Sequence, residues 1–219
     1  FTSDHGDNLG DHWLGEKDLF HDASVRVPLI VYDPRTEADA TRGTTNDMLV
    51  EGIDLPPTFL DFFGGDPKPH IFEGRSLDPL LHKQEVPWRD YAISEYDYAT
   101  RQSRLELNVD QADARLLMIF DGRWKYIHTE GFRPLLFDLE TDPDELVDLG
   151  DDPTQESVRV RLHEALFAWS RRHHNRITKT PAQVDKMATG AEPPGILIGF
   201  WDEAEIREAG IKSVYPKVD

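Results

Sequence analysis

The chain has 219 residues and a formal net charge of -18, with 42 acidic against 24 basic side chains. This excess of negative charge repels nucleic-acid phosphates and anionic lipid surfaces, so neither is expected as a partner. At 38% hydrophobic and 30% charged residues the composition is that of a globular protein, because this much apolar surface can offset the entropy cost of ordering. There is no cysteine, which excludes disulfides, thiolate zinc sites and a cysteine nucleophile within these residues. The sequence contains no apolar run long enough to predict a membrane-spanning helix.

The chain begins with an apolar residue followed directly by residues 2–7, which read Thr-Ser-Asp-His-Gly-Asp. An apolar residue followed directly by a polar turn is typical of the end of a strand that leads into a functional loop. The first residue is not Met, and no signal peptide precedes the turn. We therefore expect that this strand has been cut and that the N-terminal part of the protein lies outside this chain.

The next elements are those expected of an α/β layer. Residues 25–32 form a nearly continuous apolar run, which predicts a strand buried on both faces of a parallel sheet. Residues 48–50 are a shorter strand candidate. Asp54 precedes two prolines and is predicted to cap a helix that ends at the glycine pair of residues 64–65. The stretch 66–88 is predicted to be loops, where a domain boundary can fall.

Further along, short strands alternate with turns. The candidates are residues 92–96, 116–120, 123–128 and 135–139. Asp121-Gly122 stands between the second and third of them and predicts a two-residue hairpin turn of type I′.

The strongest helix signal follows these strands. Asp152 is the predicted N-cap, with Pro153 at the first helical position and Gln155 closing a capping box. One apolar face carries Val158, Leu162, Ala165, Leu166 and Trp169. An antiparallel sheet covered by one helix is the natural packing for these pieces, which predicts a small α+β subdomain.

These patterns divide the chain into three parts. Residues 1–89 are predicted to be the remainder of an α/β domain, residues 90–176 the α+β subdomain, and residues 177–219 an extended tail with a short helix. Leaving the apolar run 196–201 in water would forgo roughly 1.5–3 kcal/mol per large side chain. We therefore expect residues 190–219 to dock on the α/β layer or to form a homo-oligomer.

Side chains of the kind that bind metals are densest near the N-terminus. They are Asp4, His5, Asp7, Asp11, His12, Glu16, Lys17, His21 and Asp22. From a turn, Asp4 and His5 can point at one cation, and Lys17 can face a tetrahedral oxyanion such as phosphate or sulfate. Two alternatives stay open: a zinc site of His5, His12 and His21, and a solvated turn in which the acidic residues are turn formers.

The same segment resembles a known motif. The second metal-binding motif of the sulfatase branch of the alkaline phosphatase superfamily resembles, in order, residues 2–7, 9–12, 16–17 and 25–30. The C-terminal half of a sulfatase is similar to residues 54–61, 125–127 and 136–145. Residues 195–202 are similar to the superfamily's phosphonate monoester hydrolase and phosphodiesterase subgroup. Trp13 stands where many sulfatases carry glycine. The implied fold class is α/β: the C-terminal part of an alkaline-phosphatase-like α/β/α sandwich, followed by the small α+β subdomain.

The resemblance implies roles for three residues. Asp4 and His5 would coordinate one divalent metal ion, Mn or Ca, with Zn or Mg as alternatives. Lys17 would be catalytic, contacting the non-bridging oxygens of the substrate. The family's nucleophile is a formylglycine made from the cysteine of a Cys-x-Pro/Ala-x-Arg motif, and it would come from upstream with the other metal ligands. Because a hard cation takes about six ligands, we expect these residues alone to bind metal weakly and to be inactive.

The implied function is hydrolysis of phosphonate monoesters, phosphodiesters or sulfate esters. The alternatives are an arylsulfatase-type sulfuric ester hydrolase and a non-catalytic acidic interaction module. The expected partners are a small ester substrate and the N-terminal part of the same protein. A cytoplasmic location is favoured, because the chain has neither cysteine nor a visible signal.

Overall fold

The computed structural model describes residues 1–66, 68–172 and 178–188, together with Ala204 and Glu208. The chain divides into two compact units, Phe1–Asn175 and Arg176–Asp219. The predicted boundary between residues 89 and 90 stays a prediction. None of the helices in the described ranges is long and apolar enough to cross a membrane.

The first unit is an α/β assembly around one antiparallel sheet. Its helices are α1 (Asp22–Val25), α2 (Leu55–Phe62), α3 (Asp78–Leu81), α4 (Gln102–Leu107) and α5 (Glu156–Ser170). Its strands are β1 (Ala92–Asp97), β2 (Arg115–Phe120), β3 (Trp124–Thr129) and β4 (Leu135–Asp138), which pair in the order β1-β2-β3-β4. Short 3₁₀ helices cover Asp11–Trp13, Thr36–Thr41, Gly52–Asp54 and Pro153–Gln155.

Both faces of the sheet are covered. Alternate residues of a strand point to opposite faces, so neighbouring positions of β2, β3 and β4 enter different cores. One core contains Ile119, Tyr126 and Leu136 together with Leu162 and Leu166 of α5. The other contains Met118, Ile127 and Phe137 together with Phe20, from the N-terminal segment. The sheet thus packs on its covering helix on one side and on the N-terminal segment on the other.

The four strands predicted for the α+β subdomain and its covering helix are confirmed. The β2–β3 register pairs Met118 with Ile127, and the predicted apolar face of α5 packs on the sheet. Asp152 caps the start of the helical segment by accepting the Thr154 N–H at 2.8 Å. The predicted capping box is wrong, because the Asp152 N–H bonds to the Leu149 carbonyl and leaves no donor for Gln155.

The β2–β3 turn differs from the predicted type. Its two central residues are Gly122 and Arg123, not the predicted Asp121 and Gly122, because the Asp121 N–H bonds to the Trp124 carbonyl at 3.2 Å. Gly122 has a φ of 96°, whereas Arg123 is not among the residues with positive φ. A positive φ at the first central residue alone defines a type II′ turn, not type I′. The carboxylate of Asp121 explains the difference, since it accepts the N–H groups of Arg123 and Trp124 at 2.9 and 2.6 Å and holds the second half of the turn.

The predicted buried strand at residues 25–32 is wrong. Val25 ends α1, and residues 26–34, all of them described, form no strand. Ile30 exchanges two backbone hydrogen bonds with Phe1, which is one residue pair and too short for a ladder. Because no strand lies on either side of residues 25–32, this segment is not buried. Ile30 is 63% exposed and Tyr32 is 78% exposed.

Two other local predictions need correction. Residues 48–50 form no strand, because the carbonyl of Leu49 accepts the indole N–H of Trp88 at 2.7 Å instead of a ladder partner. The helix predicted after Asp54 is present as α2, but the Asp54 side chain does not cap it. That carboxylate is fully buried and accepts the N–H groups of Glu51 and Arg75 and the guanidinium of Arg89.

In the second unit, α6 (Pro181–Ala188) begins with a reciprocal cap. The Thr180 hydroxyl accepts the Gln183 N–H at 3.2 Å, and the Gln183 side chain accepts the Thr180 N–H at 2.8 Å. The predicted tail helix and docking segment, residues 190–219, lie outside the described residues except for Ala204 and Glu208.

Candidate metal and oxyanion site

The three residues predicted to form the site converge on one ring nitrogen. The Nε2 atom of His5 lies 2.7 Å from Nζ of Lys17 and 3.5 Å from Oδ2 of Asp4. Lys17 is twelve residues away along the chain, so the loop between them folds back to bring the ammonium to the Asp-His pair. The geometry therefore assembles a carboxylate, an imidazole and an ammonium, while the roles of these groups stay predictions.

Hydrogen bonding determines which nitrogen of His5 carries the proton. Nδ1 lies 2.7 Å from the Gly6 carbonyl oxygen, which can only accept. We therefore assign the proton to Nδ1, which leaves the lone pair on Nε2 pointing toward Lys17. A histidine that donates from one nitrogen to a carbonyl and offers the other is in the form needed to ligate a metal.

Asp4 supplies negative charge beside this lone pair. Hydrogen bonds from the backbone, and then the nearby His5, hold the pKa of the Asp4 carboxyl below its usual value. The side chain is 85% exposed and therefore open to a ligand. Two donor atoms 3.5 Å apart can both lie about 2.0–2.5 Å from one cation, so Asp4 and His5 fit a shared divalent ion.

One residue of α1 ties together both halves of this site. The carbonyl of Ser24 accepts the Gly6 N–H at 2.7 Å, and the Ser24 hydroxyl donates to the Lys17 carbonyl at 2.5 Å. The fit at Gly6 is close, since a Cβ built there would lie 1.9 Å from the Ala23 carbonyl oxygen. Ser24 is itself buried. The separation of His5 and Lys17 therefore depends on the position of α1.

The loop between the two halves is tightly wound. Asn8 and Gly10 donate backbone hydrogen bonds to Glu16 and Leu14. Its non-glycine residues with positive φ are Leu9, His12, Trp13 and Glu16. The φ of 58° at Trp13 is one that glycine adopts without strain, which gives a physical reason for the glycine that the resemblance implies at this position. Leu9 and Trp13 are 87% and 96% exposed, so the tip of the loop is apolar.

The alternative zinc site does not form as predicted. His12 and His21 do come together, and Glu145 joins them, but His5 is not part of that group. The two imidazoles stack with their centroids 3.7 Å apart and their planes within 11°. Because a ring nitrogen binds a metal in the plane of its ring, two stacked rings cannot both address one tetrahedral ion in this arrangement. Asp7, Asp11, Glu16 and Asp22 are likewise not part of this group.

A second group of acids and histidine is neutralised internally. Asp33, Asp78 and His82 lie close enough to share an ion. The guanidinium of Arg35 forms hydrogen bonds with both carboxylates, and His82 Nε2 is 3.0 Å from Asp33. A positive charge therefore already occupies the space between the acids, which opposes a metal cation there.

Sequence reasoning missed two buried residues behind the site, Lys125 and Glu145. Lys125 lies in β3 and is 1% exposed, with its Nζ 2.6 Å from Glu145 and from Asp22. The sequence does contain one signal, a lysine on the same strand face as the buried Ile127. Because an unpaired ammonium is rarely buried, a lysine at such a position indicates an acidic partner. Its partners could not be read from the sequence, because Asp22 is 103 residues away.

Comparison with known proteins identifies the family. Residues 10–172 match the family model described as N-sulphoglucosamine sulphohydrolase, C-terminal, which is well over half of the chain. The chain belongs to the sulfatase branch of the alkaline phosphatase superfamily. The predicted family and fold class are thereby confirmed.

Two curated relatives align with most of this chain. The chain is 34% identical over 180 residues to the multifunctional alkaline phosphatase superfamily protein PehA of Trinickia caryophylli, covering 80% of this chain and 34% of that protein. It is 34% identical over 149 residues to an arylsulfatase of Clostridium perfringens, covering 68% of this chain and 28% of the relative.

The fold agrees with a solved structure of the same branch. The phosphonate monoester hydrolase of Agrobacterium radiobacter superimposes with a TM-score of 0.72 at 34% identity, covering 79% of this chain and 34% of that one. This sulfatase-family chain thus spans about a third of the length of the relatives it matches.

Proposed function

We propose that the protein hydrolyses phosphonate monoesters, phosphodiesters or sulfate esters with the help of one divalent cation. The observation that carries the proposal is the convergence of Asp4 and Lys17 on the Nε2 atom of His5. Relatives named as a phosphonate monoester hydrolase and an arylsulfatase support the same reaction class. The chain contains no cysteine, so a formylglycine nucleophile would be supplied from outside these residues.

Asp4 and His5 would hold the cation, Mn or Ca, with Zn or Mg as alternatives. When bound, such an ion would offset the negative charge of the ester oxygens and polarise the phosphorus or sulfur centre. One carboxylate and one imidazole are too few to hold a hard cation firmly, so further ligands are required from outside this chain. Asp4 contributes a full negative charge, because its pKa lies below the usual value.

Lys17 would bind the substrate. The single lone pair of His5 Nε2 can face either Lys17 or a cation, since it accepts one partner at a time. If His5 held the cation, the Lys17 ammonium would be free to donate to a non-bridging ester oxygen. It would then stabilise the negative charge that grows on this oxygen as the new bond forms. The lysine thus changes partner, from the imidazole to the substrate.

Two other functions remain distinct proposals. An arylsulfatase-type sulfuric ester hydrolase is favoured by the Clostridium perfringens relative. A non-catalytic acidic interaction module would share the family sequence without its nucleophile. A Cys-x-Pro/Ala-x-Arg segment upstream in the reading frame favours an enzyme, whereas a start codon just before Phe1 favours the module.

The proposal is tested on the protein as its gene encodes it. Purified enzyme is assayed with p-nitrophenyl phenylphosphonate, bis-p-nitrophenyl phosphate and p-nitrophenyl sulfate, with and without a chelator. We expect Lys17→Ala to lower kcat by about 10²–10³-fold on the preferred ester, the scale of losing one charge-stabilising donor. Lys68→Ala is the matched control, because Lys68 is exposed and pairs with Asp66. Equal activity of Lys17→Ala and wild type would refute the proposed role of Lys17.

A further inference from the structure

Lys125 is a buried charge with three partners. Its ammonium donates to Oδ1 of Asp22 and Oε1 of Glu145, both at 2.6 Å, and to the Phe20 carbonyl at 2.8 Å. An ammonium has three hydrogens, so this set satisfies it completely. Two of the partners, Phe20 and Asp22, lie in the segment that leads from Lys17 into α1. Lys125 therefore connects the middle of the sheet to the segment between Lys17 and α1.

Glu145 closes the same network from the other side. Its Oε2 accepts the backbone N–H of Asp22 at 2.6 Å, while Oε1 accepts from Lys125. Burial raises the pKa of Glu145, but the neighbouring His21 and Lys125 outweigh burial, and the pKa lies below its usual value. Glu145 is thus a charged carboxylate, 3% exposed, that holds the first residue of α1 by its main chain.

This network is two steps away from the candidate site. It anchors Asp22 at the start of α1, and Ser24 of the same helix bonds to the Lys17 carbonyl and to the Gly6 N–H. A displacement of α1 would therefore move both halves of the site, the Asp4–His5 pair and Lys17. A shift of about 1 Å between reacting groups can reduce a rate about 10²-fold.

We propose that Lys125 and Glu145 are positioning residues that set the distance between His5 and Lys17. The proposal rests on the proposed function for its effect on catalysis. Stability alone does not account for the network, because apolar residues packed in place of a buried ion pair are often as stable or more so. Hydrogen bonds are directional, so this network fixes the orientation of α1 on the sheet, which apolar contacts would not do.

The test uses the double variant Lys125→Met/Glu145→Gln in the protein as encoded by its gene. A single change would leave one unpaired charge at a buried position. The double change removes the charge at both of the most buried positions. The matched control is Arg89→Met/Asp54→Asn, which removes another buried ion pair, at side-chain exposures of 9% and 0%. We expect kcat to fall about 10–100-fold in the first variant with less than about a threefold change in KM, and to stay within about twofold in the control.

A second measurement does not depend on activity. Amide hydrogen exchange is followed at Gly6 and Asp22, whose N–H groups bond to Ser24 and Glu145, and in α5 as reference. We expect exchange at both amides to accelerate at least tenfold in the Lys125/Glu145 variant, with no such change in the control variant or in α5. Unchanged exchange at Gly6 overturns the proposal even if no ester is hydrolysed, and so does an equal fall of kcat in both variants.

Discussion

Asp33 is a buried carboxylate whose charge is compensated by its neighbours. The Arg35 guanidinium donates to both of its oxygens, at 3.0 and 2.7 Å, and His82 Nε2 lies 3.0 Å from the same carboxylate. These contacts, the Arg35 hydrogen bonds first among them, hold the pKa of Asp33 well below its usual range in spite of burial. The folded protein therefore keeps this carboxylate ionised at pH values where the unfolded chain protonates it.

Stability should depend on pH through this group. Because the folded pKa lies below the unfolded value, the stabilisation is complete above about pH 4–5 and is lost as the pH falls toward the folded pKa. We expect urea unfolding to report a loss on the order of 1 kcal/mol from this group between pH 5 and pH 3. In Arg35→Gln the loss over the same interval should be smaller, since the main cause of the shift is gone. An identical pH dependence in both proteins would contradict this account.

At the level of single residues, sequence reasoning found the groups that a short segment brings together. Asp4 and His5 are adjacent and Lys17 lies on the same loop, so the structure places all three in contact. Lys125 and Glu145 could not be found in this way. Their shared partner Asp22 is more than a hundred residues away, and Glu145 has a positive φ of 54° that no sequence pattern announces.

At the level of elements, α5 provides most of the covering layer on one face of the sheet. Leu162 and Leu166 are fully buried and one helical turn apart, so they enter the same core as Ile119 and Leu136. Deleting buried methyl and methylene groups costs their transfer free energy and leaves a cavity as well. The attachment of α5 to the sheet should therefore depend strongly on these two side chains.

We expect Leu162→Ala to lower the free energy of unfolding by about 2–5 kcal/mol, as measured by urea denaturation. Val160→Ala is the control on the same helix. Its side chain is 45% exposed, so the change should stay within about 0.5 kcal/mol. Similar losses in both variants would show that α5 is not packed on the sheet through the face described above.

Strand prediction succeeded or failed according to where the pairing partners lie. The three hairpin-connected neighbours β2, β3 and β4 follow one another closely in the chain, and their patterns identified them. Residues 25–32 have an equally apolar pattern, but a strand requires partners, and here the pairing is limited to Phe1 and Ile30. Apolar character reports a tendency to be buried and cannot supply a neighbouring strand.

At the level of the whole molecule, the site is open on one side. Asp4 is 85% exposed at its side chain, and Leu9 and Trp13 on the adjoining loop are nearly fully exposed. The chain spans about a third of the length of its relatives. We propose that a nucleophile and further metal ligands from outside these residues would approach at this open side.

The 219 residues by themselves should therefore be inactive and should bind metal weakly. We expect isothermal titration with Mn²⁺ or Ca²⁺ to give a Kd above about 100 μM, because two ligands satisfy only a third of the roughly six positions such a cation prefers. No ester hydrolysis should be detected in the same preparation. Turnover that is abolished by Asp4→Ala would show that this chain contains a complete site.

The close approach of Gly6 to the Ala23 carbonyl restricts how this region can diversify. No side chain can be accommodated at position 6 without separating the Asp-His turn from α1. The solvent-facing residues of the adjoining loop, Leu9 and Trp13, carry no such restriction from neighbouring atoms. Substitutions at the tip of the loop should therefore be tolerated far better than any substitution of Gly6 at its base.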